Sequence, residues 1–384
     1  MHFNFLNVKR AMCMDTGYKM LDQSIFTGLI VFTSSVLIGS LMIFFSKRII
    51  KNKRYDLQAV QAAHVTPVPR IGGIAIVCAL VLSLAFQFGD AHQANLSSKL
   101  LLSTVPIFFI GLSEDLGLLA SPRIRILAAA GSGAIFIWLF GEWLPRADFP
   151  GLNLAIQWAP FAVVLSIFLT VGVSHAFNLL DGLNGLASLT AISAALALAM
   201  IADNTGLYAH RDVMILLTVT IFGFVVLNFP FPKIFLGDAG AYSIGHMLAW
   251  ISISILWHAD HVTPWAILLI FFWPVADTIL AIARRLAKGR PVAHPDRLHF
   301  HQLIMRAVEI IFLGRRHRRI SNPLTTVIML PFIITPMCAG VMLATNRLYA
   351  GIAVLVFTFL FVMAYTTGIT IANKMRNRRH HRMS

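Results

Sequence analysis

The sequence predicts an all-α fold, a polytopic transmembrane helical bundle of about eleven spans with the N-terminus outside and the C-terminus cytoplasmic. Three observations carry the prediction. Of 384 residues, 58% are hydrophobic and 12% charged, and the mean hydropathy is +0.77, a balance foreign to soluble domains. Apolar stretches near the roughly 20 residues needed to cross a bilayer recur along the chain. Lys and Arg fall unevenly between alternate connections.

Taken in order, the apolar stretches cover 25–46, 71–88, 100–113, 126–144, 154–173, 186–202, 212–230, 240–257, 265–283, 324–343 and 349–372. The third and eighth are short or interrupted. With the N-terminus outside, the cytoplasmic connections and tail hold 24 of the 31 Lys and Arg residues, and Lys9, Arg10 and Lys19 of the N-terminal tail are among the seven left outside. The layout is then an N-terminal tail over 1–24, one transmembrane domain over 25–373, and a basic tail over 374–384. The cytoplasmic loops are 47–70, 114–125, 174–185, 231–239 and 284–323.

The first 24 residues lack an apolar core followed by a small-residue cleavage site, so no cleaved signal peptide is expected. Cys13, Cys78 and Cys338 are odd in number and far apart, which gives neither a disulfide framework nor a zinc site. The net charge of +15 could serve nucleic acid. The aromatic residues, however, lie in apolar runs and not in basic stripes, and basic residues beside apolar spans suit anionic lipid. Arg315, Arg316, Arg318 and Arg319, around His317, form the densest such cluster.

Carboxylates near a membrane are costly, and this chain has only 16. Six recur at cytoplasmic ends: Glu114, Asp115, Asp181, Asp238, Asp277 and Asp296. Any one could merely end a helix. Several, however, sit in glycine-containing turns, Asn178 to Gly185 and Phe235 to Gly240, where the backbone can bend and approach a ligand. The run Pro295-Asp296-Arg297-Leu298-His299-Phe300-His301 and the turn from His64 through Arg70 to Gly73 add cationic groups suited to phosphate. His299 and His301, two apart, share no helix face but could reach one anion from an extended segment. Carboxylates for a hard cation, opposed to Arg and His for phosphate oxygens, are what phosphoryl transfer requires.

At these segments the sequence resembles the polyprenyl-phosphate N-acetylhexosamine-1-phosphate transferase family (glycosyltransferase family 4). The matching pieces are HVTPVPRIGG (64–73), GLSEDLGLLASPRIR (111–125), NLLDGLNGLA (178–187), NFPFPKIFLGDAG (228–240) and PVADTILAIARRLAKGRPVAHPDRLHFHQLIMRA (274–307). The last of them is most similar to the undecaprenyl-phosphate N-acetylglucosaminyl 1-phosphate transferase branch. The resemblance implies transfer of GlcNAc-1-phosphate from a UDP-N-acetylhexosamine to undecaprenyl phosphate, releasing UMP and starting an O-antigen-like surface polysaccharide. It implies a bacterial inner membrane, an active site facing the cytoplasm, Mg²⁺ or Mn²⁺ as cofactor, and admits a homodimer.

Carried over by residue, the family's acidic pair falls on Glu114 and Asp115, its nucleotide-loop aspartate on Asp181 and its magnesium aspartate on Asp238. Its uridine-contacting positions fall on Asn228 and Phe235, and its HxH motif on His299 and His301 beside Arg297. His64, Arg70, Asn178, Asn184 and Arg285 complete the substrate-binding candidates. Asp238 with Asp115 would hold Mg²⁺, Arg297, His299 and His301 would meet phosphate oxygens, and Glu114 or Asp115 keeps an open role as base. The ninth stretch, with Phe271-Phe272-Trp273-Pro274, would wall the groove for the lipid tail. Glu114, His175, Asn184 and Gln302 depart from the family pattern, which leaves open a different UDP-aminosugar donor or a non-catalytic member; a transporter or lipid carrier is the alternative from another class.

Overall fold

A computed structural model describes residues 25–46, 68–86, 91–118, 121–289, 298–313 and 317–380, with side chains described to 370. His64, Asp296, Arg297, Arg315, Arg316 and the N-terminal tail lie outside the described residues. What is described is helical, without a strand. The chain is an all-α polytopic membrane protein.

The helices run in order as α1 (Ile25–Ser46), α2 (Gly72–Ser83), α3 (Ala91–Asp115), α4 (Pro122–Phe140), α5 (Leu152–Ile156), α6 (Ala159–Leu180) and α7 (Leu186–Asn204). They continue as α8 (Tyr208–Asn228), α9 (Gly237–His258), α10 (Pro264–Ile270), α11 (Phe272–Ala287), α12 (Phe300–Val308), α13 (Arg318–Met342) and α14 (Arg347–His380). Among the described residues nine helices are long and apolar enough to cross a membrane, and α10 with α11 would make a tenth span. Over the described residues the apolar stretches fall largely on helices, though 126–144 runs past the end of α4 and 154–173 includes the break between α5 and α6. In the second, α2 ends at Ser83 and a 3₁₀ turn, Leu84–Phe86, follows it.

Local chemistry sets several boundaries. Ser121 precedes Pro122 and accepts the Ile124 N–H at 3.4 Å, while Gly141 in the left-handed conformation stops α4. The ninth stretch is broken, α10 and α11 meeting at 79°. Pro274 has no N–H to offer the Ile270 carbonyl and its ring crowds that residue, so the helix bends one turn earlier.

The centre of the bundle is α9, in which every residue from Gly237 to Leu256 is buried. It packs against α2, α3 and α6. Small residues allow this: a Cβ on Gly73 would lie 2.3 Å from the Gly240 nitrogen, and one on Gly111 2.6 Å from the Ala239 backbone. Polar residues inside α9 find partners, as in the 3.0 Å contact of His246 Nε2 with Ser103 Oγ. At the C-terminal end of α9, Arg146 donates to the carbonyls of Leu256 at 3.1 Å and Ala259 at 2.9 Å, a cation at the negative end of the helix dipole. Its N-terminal end faces the candidate site.

Candidate active site

The site forms where α3 and α6 end and α9 begins. Residues 69–73 run beside 235–236, joined by Phe235 N–H to Pro69 O at 2.8 Å, Gly72 N–H to Phe235 O at 2.9 Å and Gly73 N–H to Leu236 O at 2.9 Å. Gly237 then turns with φ +76°, where a Cβ would stand 2.4 Å from the Arg70 carbonyl oxygen. The first N–H groups of a helix have no partner within it. Here carboxylates from two other helices accept them: Asp181 Oδ2 from Gly237 at 3.2 Å, Asp115 Oδ1 from Asp238 at 2.8 Å and Asp115 Oδ2 from Ala239 at 2.9 Å.

This arrangement presents the buried Asp238 between two guanidinium groups. Arg70 Nη2 stands 3.2 Å from its Oδ1 and Arg125 Nη1 3.6 Å from its Oδ2, and the same Arg125 nitrogen lies 3.9 Å from Glu114 Oε1. Burial pushes the Asp181 carboxyl up to about 7, with Arg70 opposing and the Asp238 charge adding to the rise. Four carboxylates thus face two cations at one end of the bundle.

The histidine pair closes another side. His299 caps α12 and His301 lies in its first turn, their rings stacked 5.6 Å apart. They do converge on one anion, and in this structure it is Asp277: its Oδ2 is 3.0 Å from His299 Nδ1 and 3.8 Å from His301 Nδ1, while its Oδ1 accepts the Phe300 N–H at 3.0 Å. Burial lowers His301 to about 4 against the pull of Asp277, with His299 adding to the fall, so its ring is neutral at pH 7. Its Nε2 would meet a Cβ on Gly182 at 3.1 Å, which sets the pair directly against the turn that carries Asp181. The Nε2 atoms of both rings are buried without a hydrogen-bond partner among the described residues.

The expected nucleotide side is more tightly braced than the sequence suggests. Asn228, expected to touch uridine, spends both ends of its amide on the backbone: Oδ1 accepts the Gly185 N–H at 2.9 Å and Nδ2 donates to Ile234 O at 2.8 Å. Asn184 Nδ2 donates to Pro230 O at 3.0 Å and its Oδ1 is left without a partner. Asn178, half-buried in the last turn of α6, accepts the Asp181 N–H through its carbonyl at 3.2 Å. Phe235 is half-buried in the paired loops, and Arg285 half-buried in the last turn of α11. His175 contacts the Val171 carbonyl at 2.9 Å and sits 4.9 Å from the Tyr242 ring, deeper in the bundle.

Sequence reasoning missed Arg125 as a partner of Asp238, and placed Asp277 among the carboxylates without seeing that it organises the histidines. Both lie inside recognised motifs, so only their partners were hidden. Asn322 and Thr326 of α13, which carry no motif, contact the Asn184 backbone in the turn after Asp181.

Whether a hard cation suits these residues can be tested on their chemistry. Among the described residues no three His, Cys, Asp or Glu side chains stand close enough to hold a metal by themselves. Mg²⁺ does not need them, since it ordinarily takes one or two carboxylates and completes its shell with water and substrate phosphate. Asp238 lies among three further carboxylates, Glu114, Asp115 and Asp181, with Arg70 and Arg125 as the guanidinium groups beside it, so a bound cation would balance the cluster. The residues fit Mg²⁺ on that footing.

The chain is similar to known proteins. The glycosyl transferase family 4 model matches residues 97–256. The chain is 27% identical over 354 residues to the probable undecaprenyl-phosphate N-acetylglucosaminyl 1-phosphate transferase of Bacillus subtilis (strain 168), covering 91% of this chain and 95% of that protein. It is 29% identical over 284 residues to the undecaprenyl-phosphate alpha-N-acetylglucosaminyl 1-phosphate transferase of Escherichia coli (strain K12), covering 71% and 75%. It is also 29% identical over 286 residues to the decaprenyl-phosphate N-acetylglucosaminephosphotransferase of Mycobacterium tuberculosis (strain ATCC 25618 / H37Rv), covering 67% and 69%.

Proposed function

We propose, from the match of residues 97–256 to the glycosyl transferase family 4 model, that the protein transfers GlcNAc-1-phosphate from UDP-GlcNAc to undecaprenyl phosphate. The observation that carries the proposal is Asp238, fixed at the start of a buried helix by two further carboxylates and flanked by Arg70 and Arg125. The relatives' names supply the polyprenyl phosphate acceptor and the GlcNAc group. The UDP carrier follows from the family.

In the reaction a phosphate oxygen of the acceptor attacks the β-phosphorus of the donor. A new P–O bond forms to the lipid phosphate, the bond between the β-phosphorus and the bridging oxygen breaks, and UMP leaves with that oxygen. The acceptor, a monoester with its second pKa near 6, is largely a dianion at pH 7 and needs no strong base. Charge repulsion between dianion and diphosphate is the main obstacle, and preorganised cations answer it. Asp238 is the residue that would hold Mg²⁺, which when bound neutralises charge developing on phosphate oxygens. Asp115 is assigned to fixing Asp238 through the backbone, since both its oxygens already accept N–H groups. Arg70, Arg125 and the unpartnered Nε2 edges of His299 and His301 are the phosphate contacts, with Arg297 beside them in sequence. Phe235 is the face offered to the base.

The excess of Lys and Arg in the connections at this end supports a cytoplasmic orientation, and the bend between α10 and α11 offers a wall for the lipid tail. The test is UMP release by the purified protein in detergent with UDP-GlcNAc, undecaprenyl phosphate and Mg²⁺. Release that requires all three and stops with EDTA is the expected result. Release with another UDP-sugar alone would change the donor, and none with any donor would sink the reading.

A further inference from the structure

The turn that carries Asp181 is held from behind by α13, outside the residues that match the family model. Asn322 Oδ1 accepts the Asn184 N–H at 2.8 Å, and Thr326 Oγ1 donates to the Asn184 carbonyl, also at 2.8 Å. Positions 322 and 326 are four apart and share a helix face. Their exposures are 2% and 0%. The next N–H of the turn, Gly185, goes to Asn228 of α8, so side-chain amides from two helices fix two consecutive peptide groups.

The bond to Asn184 sets which end of the Asn322 amide is the oxygen. Its Nδ2 is then buried without a partner, an arrangement that costs free energy. Among the described residues the one bond the amide makes is the bond to the turn. α13 also reaches the histidine wall, through the 3.3 Å ion pair of Arg318 with Glu309 in the π turn that follows α12. One helix therefore touches both sides of the cleft.

We infer that Asn322 is a positioning residue for donor binding: acting through the Asn184 N–H, it sets the 181–185 turn against His301 and the start of α9, with Thr326 holding the carbonyl of the same residue. This rests on the UDP-sugar reading above.

The test is steady-state UMP release and thermal midpoint for the wild type, Asn322→Leu, Asn322→Asp and Thr326→Val, varying UDP-GlcNAc and undecaprenyl phosphate in turn. Leu matches the size and removes the acceptor. Stranding the Asn184 N–H should raise KM for UDP-GlcNAc by about ten-fold or more and leave KM for undecaprenyl phosphate unchanged. Asn322→Asp, which keeps an acceptor oxygen, should recover most of that loss, and Thr326→Val should shift the same KM less. An unchanged donor KM in Asn322→Leu overturns the inference while the donor reading stands. So does a lowered midpoint with unaltered kinetics per folded molecule, as a purely structural residue would give. Should Asn322→Leu fail to fold, an unchanged donor KM in Thr326→Val overturns it. A wild type that releases no UMP from UDP-GlcNAc removes the donor reading, and this inference with it.

Discussion

Replacing Asp115 by Asn separates two roles that the sequence alone cannot tell apart. In the structure its two oxygens accept the N–H groups of Asp238 and Ala239 at 2.8 and 2.9 Å. Asn keeps one oxygen and turns an NH₂ group toward the other N–H, so one hydrogen bond to a charged acceptor is lost, worth about 1.5–3 kcal/mol. Removing a negative charge from the first turn of α9 adds about 0.3–1 kcal/mol. The total is roughly 2–4 kcal/mol. If all of it falls on the turn that presents Asp238, turnover should drop between about 30-fold and about 1000-fold, with a lowered thermal midpoint. UMP release and thermal unfolding in the same detergent measure both. Loss beyond about 10⁴-fold with an unchanged midpoint would refute the capping argument and return Asp115 to the cation or the chemistry. No change in either would show that the cap carries no energy.

Other perturbations test neighbouring parts of the site. Because the folded-state pKa of Asp181, about 7, exceeds the ordinary carboxylate value near 4, the folded state holds a proton the unfolded chain has lost; stability in metal-free buffer should therefore fall as pH rises from about 4 to about 7 and then level off. Asp181→Asn should flatten that fall, and an equal slope in both proteins would contradict it. Gly73→Ala places a Cβ 2.3 Å from the Gly240 nitrogen, and crowding of this kind costs about 1–3 kcal/mol; a midpoint equal to the wild type would show that α2 and α9 are not so close. Asp277→Asn leaves the His299 Nδ1 and Phe300 N–H contacts without a charged acceptor, a loss of about 2–3 kcal/mol, and should depress UMP release and midpoint together. Asp238→Asn should abolish Mg²⁺-dependent turnover with the midpoint preserved, and retained turnover would remove Asp238 from the cation.

Much of the fold was legible because the relevant signals are local. An apolar run of about 20 residues has few structures available in lipid, and over the described residues the stretches read from the sequence are largely helical. The bend between α10 and α11 had its signal in Pro274, though the sequence reading spent that segment on a lipid wall. Burial of α9 was not legible: its Ser, Gly and His content makes it less hydrophobic than several lipid-facing helices, and the distinction depends on which helices surround it. The candidate carboxylates were legible as a set for the same reason that they are rare, the cost of placing charge beside a membrane. Their partners were not. Asp115 and the N–H it accepts are 123 residues apart, and neither periodicity nor turn chemistry encodes a pairing at that distance. Asn322 is the extreme case, a lone amide in an apolar helix whose function is visible only when α13 is placed against α7.

The cap also explains why the site needs cations. A helix N-terminus ordinarily offers its free N–H groups and positive dipole end to an anion, and a diphosphate approaching α9 would find such a site there if its first turn were open. Asp115 and Asp181 take the N–H groups of residues 237, 238 and 239, and Asp238 adds a third carboxylate on the same turn. The end of the helix that could have bound phosphate is thereby converted into a place that repels it and attracts positive charge. On the proposed reading, substrate phosphates would be met by groups on other elements: Arg70 ahead of α2, Arg125 on α4, and His299 and His301 at the start of α12. Each of these is anchored to a carboxylate of the cluster or to Asp277, and for that reason the geometry of the proposed phosphate-binding groups depends on the acidic ones even where no acidic oxygen would touch the substrate.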